Sequence, residues 1–370
     1  MSYFKAIAAL TLLVLASACV PAPRAERGPS PKPNFIPVPP RLPAARLPAP
    51  QLAPAPLADY RINPPPALFS ALRNISQSFD GVLGVAVMRT DGTWLFSHQA
   101  GQHFPQQSVS KLWVALAVLE AVDAGRLKLD QTVRIMPDDL TLFNQPIATL
   151  VDDDGYETTV LDLLNRAMTK SDNTANDRLL SLVGGPDKVR AMLVAKGLSG
   201  IRFGSGERAM QSKVAGLTWD QSYSKGFAFQ AARAKLTPEA RLKALETYLE
   251  TLPDGATPQG IVSALAKLKR GELLSASSTQ LMLSMMDEAI TGKQRIKGGV
   301  PYDWKYGHKT GTGQSLSGRD TGYNDVGIMT APDGTSYVVA VMIAQTRVGV
   351  PTRQAMMQAV AAVIAANHRQ

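Results

Sequence analysis

The alternation of apolar and polar residues divides the chain beyond residue 66 into strand-rich ends and a helical middle. An apolar-periodic segment from Leu68 to Phe79 predicts a first helix, and helical patterns dominate from Ser108 to about Met286. The predicted strands, bounded by turn residues, are Gly84–Arg89, Thr93–His98, Tyr306–Thr310, Asp325–Thr330 and Thr335–Ala344. A last apolar-periodic helix is predicted from about Thr352 to Asn367.

Strands at both ends, with helices between them, mean that distant segments of the chain close one sheet. We therefore predict an α/β (α+β) fold in which a sheet packs with helices and carries an all-helical insertion. Any cleft should lie where the sheet meets the helical part. Residues 67–370 are expected to form this one domain, since about 300 residues suffice for a large core.

The first nineteen residues have the layout of a secretory signal, with Lys5 before an apolar stretch that is too short to span a bilayer. The sequence Leu15-Ala16-Ser17-Ala18-Cys19 then resembles the lipobox of bacterial lipoproteins, in which the cysteine is diacylated. Because Cys19 is the one cysteine of the chain, we expect a lipid anchor at this residue. The expected location is the periplasmic side of the cell envelope, at the outer membrane if the organism is Gram-negative. The alternative is an ordinary cleaved signal.

Sixteen of the 26 prolines fall between Pro21 and Pro66. Proline lacks an amide donor and favours extended neighbours, so residues 20–66 are predicted to be a solvated, disordered linker. A spacer between a membrane and the domain is favoured over a proline-rich ligand motif.

Composition and charge exclude several classes of protein. Six basic residues against two acidic ones give residues 20–66 about half of the net charge of +9, and the domain itself has no basic run. A nucleic-acid partner is therefore not favoured. One cysteine excludes an intramolecular disulfide, and four scattered histidines form neither an HxH nor an HExxH cluster. We expect no metal and no cofactor.

Three short motifs carry the candidate chemistry. Ser108-Val109-Ser110-Lys111 opens a helical run, where a spacing of three places the hydroxyl and the amine on one face. A serine needs a base to become a nucleophile, and a neutral lysine can serve. Taken singly, Ser171-Asp172-Asn173 is typical of a helix end, and Lys309-Thr310-Gly311 of a glycine-rich, edge-like strand. A second Ser-x-x-Lys match, at Ser222-Tyr223-Ser224-Lys225, is attributed to chance.

Together and in this order, the three motifs resemble those of the class A serine β-lactamases. The resemblance covers nearly all of residues 67–370. It implies an antiparallel sheet flanked by helices plus an all-helical subdomain, as in β-lactamases and transpeptidases. It also implies a monomeric serine hydrolase that opens a β-lactam amide through an acyl-enzyme.

The resemblance assigns a chemical role to four motif residues. Ser108 would be the acylated nucleophile and Lys111 its proton acceptor. Ser171 would relay the proton to the leaving lactam nitrogen. Lys309 would supply a second positive charge, which steadies the substrate carboxylate and keeps Lys111 from protonating.

Other motif residues would bind the substrate. Asn173 would hold the amide of the substrate side chain, and Thr310 and Thr312 would hydrogen-bond the substrate carboxylate. Gly311, between the two threonines, would also be a substrate-binding residue. The backbone N–H groups of Ser108 and Thr312 would form the oxyanion hole, which stabilises charge that develops during attack.

The deacylating base and its surroundings depart from the pattern of the family. Glu207 lies at the interval expected for the glutamate that activates the hydrolytic water. Gln211 stands where the family has asparagine, and it could still offer an amide to that water. Asp177 also replaces an asparagine. An insertion at about residues 212–253, with a helix predicted from Pro238, either roofs the cleft or only packs on the surface.

These departures leave two alternatives open. One is an enzyme of the same fold that acts on D-alanyl-D-alanine wall peptides or on an ester. The other is a penicillin-binding sensor that keeps Ser108 but does not turn over.

Overall fold

The computed structural model describes residues 63–368. The predicted signal (1–19), Cys19 and all but the end of the predicted linker (20–66) lie outside these residues. Pro66 begins the first helix, two residues before the start at Leu68 that the sequence predicts.

In the described part of the chain, α-helices and β-strands alternate in an order that brings the two ends together. The helices are α1 (Pro66–Gln77), α2 (Lys111–Asp123), α3 (Val160–Thr169), α4 (Asn173–Leu182), α5 (Pro186–Ala195), α6 (Glu207–Val214), α7 (Ala228–Ala234), α8 (Pro238–Thr251), α9 (Pro258–Lys269), α10 (Ala276–Asp287) and α11 (Val350–Ala366). The strands are β1 (Val82–Arg89), β2 (Leu95–His98), β3 (Phe104–Pro105), β4 (Thr132–Ile135), β5 (Tyr156–Thr159), β6 (Gly255–Ala256), β7 (Lys305–Thr312), β8 (Ser315–Leu316), β9 (Arg319–Thr330) and β10 (Ser336–Thr346).

One antiparallel sheet is built from both ends of the domain. Its strand order is β2-β1-β10-β9-β7, with β8 paired to β9. Strand β1 pairs with β10 so that Val85 lies opposite Val341, and β7 pairs with β9 so that Lys309 lies opposite Val326. The prediction that distant segments close the sheet is therefore confirmed, and so is the predicted place of the Lys-Thr-Gly motif on an edge strand.

The two faces of the sheet are covered by different helices. Helices α1 and α11 cover one face, where apolar side chains such as Leu72 and Val360 pack on the strands. The other face packs on the larger cluster, which includes α2, α3, α9 and α10. Helix α2 is buried on nearly all sides, which explains its uninterrupted apolar sequence. Within residues 63–368, no helix combines the length and the apolarity that crossing a membrane requires.

The sequence analysis predicted an all-helical middle of the domain, but the middle also contains strands. Two small antiparallel ribbons interrupt it, β3 with β6 and β4 with β5. Their strands are two to four residues long, too short for a period of two to stand out against helical neighbours. The ribbon of β3 and β6 ties the segment before Ser108 to the segment after α8.

The insertion (residues 212–253) packs through small apolar clusters. Helix α8 begins as predicted, with Thr237 capping the amide of Ala240 at 3.2 Å. Leu245 and Tyr248 of α8 pack on α6, and Phe229 of α7 packs with Leu142 and Ala215.

Candidate active site

Ser108 lies at the start of the central helix, where the sequence analysis placed it. A short 3₁₀ turn, Gln107–Ser110, precedes α2, and Lys111 is the first residue of that helix. The Lys111 side chain is fully buried. Its ammonium donates to Ser108 Oγ at 2.9 Å, to Asn173 Oδ1 at 2.9 Å and to Glu207 Oε1. All three donors of the ammonium are therefore used, which is what its burial requires.

The second and third motifs meet each other in the cleft that Ser108 lines. Lys309 is fully buried, and its ammonium donates to Ser171 Oγ at 2.8 Å. Burial and the nearby charge of Lys111 lower the pKa of Lys309 well below its usual value. Ser171 has a left-handed backbone, with φ of 59°, and the following Asp172 caps α4 by accepting from the Ala175 amide at 3.0 Å. The cap holds the strained serine at the edge of the cleft.

The end of β7 forms one wall of the cleft, with Thr310 and Thr312 among its lining residues. Gly311 lies against the segment before the nucleophile, since a Cβ at this position would lie 2.3 Å from the carbonyl oxygen of Gln106. A larger residue would push the strand away from Ser108, so glycine is required here by close approach.

Arg295 is a residue of this wall that the sequence analysis missed. Its guanidinium donates to Thr312 Oγ1 at 2.6 Å and to the carbonyl oxygen of Gly311 at 3.0 Å, and it lies 3.8 Å from the ring centre of Tyr323. A cation held against the end of β7 suits a substrate carboxylate. No motif flags Arg295, because a turn after α10 carries it to the site.

Glu207 is the first residue of α6 and its side chain is buried beside Lys111. Asp177 of α4 fixes the backbone here: it accepts from the amides of Glu207 at 2.8 Å and Arg208 at 3.1 Å. An asparagine would offer a single acceptor oxygen to these two donors, whereas the carboxylate offers two. The charge has a cost, because burial and the nearby Glu207 raise the pKa of Asp177 to about 6.

Gln211 does not stand free in the cleft. Its amide nitrogen donates to Glu207 Oε2 at 3.3 Å and to Gln107 Oε1 at 3.2 Å, while its oxygen accepts from Gln314 at 3.1 Å. The expected role of Gln211 toward the hydrolytic water remains a prediction. In this structure its contacts hold the carboxylate of Glu207 in place.

The insertion contributes to the site in two places. Arg233 of α7 lines the cleft. The hydroxyl of Tyr248 in α8 accepts from the side-chain amide of Gln107, Nε2, at 2.9 Å. The carboxylate of Asp254, just beyond α8, accepts from the backbone N–H of Gln107 at 3.2 Å. Gln107 precedes the nucleophile and has a left-handed backbone, with φ of 52°. The insertion therefore both packs on the surface and reaches the cleft, so the two readings of the sequence are not exclusive.

The second Ser-x-x-Lys sequence has no comparable arrangement. Ser222 and Lys225 are exposed, and the Ser222 hydroxyl donates to Asp220 at 2.6 Å. Its interpretation as a chance match agrees with this geometry.

The assembled cleft has a volume of about 570 Å³, which suits a drug-sized molecule. Ser108, Ser171, Asn173, Glu207, Thr310 and Thr312 all line it. Among residues 63–368, no group of three His, Cys, Asp or Glu side chains could hold a metal ion.

Known proteins resemble the chain over this whole domain. The family model described as "Beta-lactamase enzyme family" matches residues 67–367. β-Lactamase VEB-1 of Pseudomonas aeruginosa is 29% identical over 277 residues, which are 75% of this chain and 82% of that protein. Extended-spectrum β-lactamase PER-1 of the same organism is 29% identical over 298 residues, 80% of this chain and 85% of that protein. A solved β-lactamase from Chitinophaga pinensis gives a TM-score of 0.66 at 26% identity, covering 80% of this chain and 97% of that one.

Proposed function

The chain belongs to the beta-lactamase enzyme family, and we propose that its cleft hydrolyses β-lactams through an acyl-enzyme on Ser108. It is a serine β-lactamase of the class A type. One observation carries the assignment of roles: the Lys111 ammonium contacts both Ser108 Oγ and Glu207. One lysine thus connects the nucleophile of the first half-reaction to the base of the second.

Acylation begins when Ser108 Oγ attacks the lactam carbonyl carbon and gives its proton to Lys111. Lys111 accepts this proton as a free amine, and the ammonium that forms lies against the Glu207 carboxylate. As the C–N bond breaks, Ser171 gives its proton to the nitrogen and takes one in turn from the Lys111 ammonium, so the proton of Ser108 ends on the nitrogen. Lys309 donates to the Ser171 hydroxyl oxygen during this relay. The backbone N–H groups of Ser108 and Thr312 stabilise the oxyanion.

Deacylation needs a base that takes a proton from the water that attacks the ester. The Glu207 carboxylate takes a proton from water as the water attacks the ester carbonyl, and this proton passes to Ser108 Oγ as the ester C–O bond breaks. Asp177 and Gln211 position Glu207 for this step through its backbone and its side chain.

A second candidate function rests on the same glutamate. Because Gln211 lies directly on Glu207, access of water to the carboxylate depends on that contact opening. If it opens slowly, the protein acylates but turns over poorly, as a wall-peptide enzyme or penicillin sensor would.

The deciding experiment is steady-state hydrolysis of a chromogenic cephalosporin, with intact-mass spectra of the protein during turnover. We expect hydrolysis by the wild type and neither hydrolysis nor adduct with Ser108→Ala, while Ser222→Ala matches the wild type. A wild type that accumulates a stable adduct supports the second candidate. Labelling that survives in Ser108→Ala contradicts the assignment of the nucleophile.

The location of the protein is a separate proposal, supported by the sequence at Leu15-Ala16-Ser17-Ala18-Cys19. We infer that Cys19 is lipidated and holds the enzyme in the cell envelope on the periplasmic side. Replacing Cys19 by serine, with the signal intact, is expected to move the protein from the detergent phase to the aqueous phase. Equal partitioning of the two forms would contradict the lipid anchor.

A further inference from the structure

Helix α7 crosses the mouth of the cleft between its two rims. At one rim, the ring of Phe229 packs on Phe143, with 5.1 Å between the ring centres. Arg233 lies one turn further along α7, on the same side of the helix, and donates to the carbonyl oxygen of Ser315 at the other rim, at 3.3 Å. Phe143, Arg233 and Ser315 all line the cleft that contains Ser108.

The positive charge of Arg233 is not balanced within the part of the chain that the structure describes. No carboxylate there forms an ion pair with it, and its Nε is buried without a hydrogen-bond partner. Burial and the charge of a second cation, Arg241, lower the pKa of Arg233. A half-buried guanidinium beside a second cation favours an anion from solution.

The position of Arg233 relative to Arg295 indicates which part of a substrate it faces. Arg295 lies with Thr310 and Thr312 at the β7 wall, where the ring carboxylate of a β-lactam would bind. In a β-lactam the acyl side chain projects from the other side of the reacting carbonyl. The amide of that side chain would lie near Asn173, and its outer atoms would then extend under α7.

We infer that Arg233 binds a carboxylate on the acyl side chain of the substrate, so that the enzyme favours β-lactams with an anionic side chain. The inference rests on the proposed function, since it concerns a second contact made by the substrate of the same cleft. Arg233 and Arg295 then hold the two carboxylates of such a substrate on either side of Ser108.

The test compares two penicillins that differ by one carboxylate. Carbenicillin is benzylpenicillin with an added carboxylate on its acyl side chain. With the full-length protein, Arg233→Gln is expected to lower kcat/KM for carbenicillin about tenfold or more, because a charged hydrogen bond is lost. The value for benzylpenicillin should change less than about twofold, and this also shows that the variant is folded.

Two further variants separate a local contact from a general effect of charge. Lys235→Gln removes a charge from an exposed residue just after α7 and should leave both substrates as in the wild type. Arg233→Lys keeps the charge but loses the planar fork, so carbenicillin hydrolysis should fall between wild type and Arg233→Gln.

An equal change for both penicillins in Arg233→Gln, or no change for carbenicillin, would overturn the inference while leaving the proposed function intact. If the wild type is acylated but turns over slowly, the rate of Ser108 acylation measured by mass spectrometry gives the same comparison. A wild type that neither penicillin acylates would overturn the proposed function, and the inference with it.

Discussion

The two walls of the cleft are built in different ways. The strand wall is β7, which pairs with β9 along its whole length and packs against α10. The other wall, called the insertion wall because α7 and α8 belong to the insertion, consists of α6, α7 and α8. It is held by clusters of three or four buried apolar residues. Small clusters open at a lower free energy than a main core does. The groups for acylation therefore lie in the rigid part, whereas Glu207 and Arg233 depend on the weaker part.

Because of this difference, the residues for acylation and the base for deacylation are held by different parts of the structure. Ser108, Lys111, Ser171 and Lys309 are held by α2, by the start of α4 and by β7. Glu207 is held by Asp177 and Gln211 at the start of a helix of eight residues. Changes in the insertion wall should therefore alter deacylation and substrate choice before they alter acylation.

The largest expected effect is on the base itself. Glu207→Gln keeps the size of the side chain and an acceptor for Lys111, but it cannot take a proton from water. Hydrolysis should fall by about 10²–10⁴-fold, while a fluorescent penicillin should still label Ser108 and the adduct should persist in intact-mass spectra.

The exposed Glu239 on α8 supplies the matched control, since Glu239→Gln removes the same charge from the same wall. It should hydrolyse as the wild type does. If Glu207→Gln also hydrolyses as fast as the wild type, another group is the base and the separation of the walls by half-reaction is wrong.

A second prediction uses pH to examine the contact between Asp177 of α4 and the backbone amides at the start of α6. Asp177 has a pKa of about 6 in the folded protein, against an ordinary value of 3.8. The folded state thus holds this proton up to about pH 6, while the unfolded state releases it near 3.8. Through this one carboxyl, the free energy of unfolding decreases as pH rises from about 4 to about 6 and is then constant.

Asp177→Asn removes this titration and one acceptor at the start of α6. The variant should therefore be less stable than the wild type at pH 4.5, and the deficit should shrink by about 1–3 kcal/mol toward pH 7. Denaturant unfolding at several pH values measures it, with the exposed Asp153→Asn as a control for net charge. A deficit that stays constant with pH would contradict the raised pKa.

The sequence predicts most of the strand wall because local pattern and pairing agree there. Strand β10 was predicted from Thr335 to Ala344 and runs from Ser336 to Thr346. Its ends differ slightly because pairing with β1 and β9 decides where it stops. The spacing of Ser108 and Lys111 likewise predicts their contact, since three residues along a helical turn share a face.

The insertion wall could not be predicted to the same depth. Its helix α8 has a clear start at Thr237, but nothing local shows which residues its far side touches. Tyr248 meets Gln107 across 141 residues of chain, and Asp254 meets it across 147. Such contacts depend on how small clusters settle on the core, which a single sequence with no repeat does not encode in any motif. Arg295 was missed for the same reason.

The smallest expected effect concerns Tyr248, and it asks whether the insertion wall supports the nucleophile as well as the base. Its hydroxyl accepts from Gln107 Nε2 at 2.9 Å, one residue before Ser108. Because Gln107 has a strained backbone, losing this contact should let Ser108 drift from the attacking position. Tyr248→Phe removes the hydroxyl alone, so the free energy of unfolding should fall by about 1 kcal/mol and the acylation rate about three- to tenfold.

The control is Tyr223→Phe, which removes a hydroxyl from the same insertion while its ring keeps packing on Phe229. Acylation rates are compared well below the unfolding temperature of each variant, so that a general loss of stability does not enter. If Tyr248→Phe slows acylation and Tyr223→Phe does not, the insertion positions the nucleophile through Gln107. If Tyr248→Phe slows deacylation alone, the core alone positions Ser108. The insertion wall then supports deacylation and has no part in acylation.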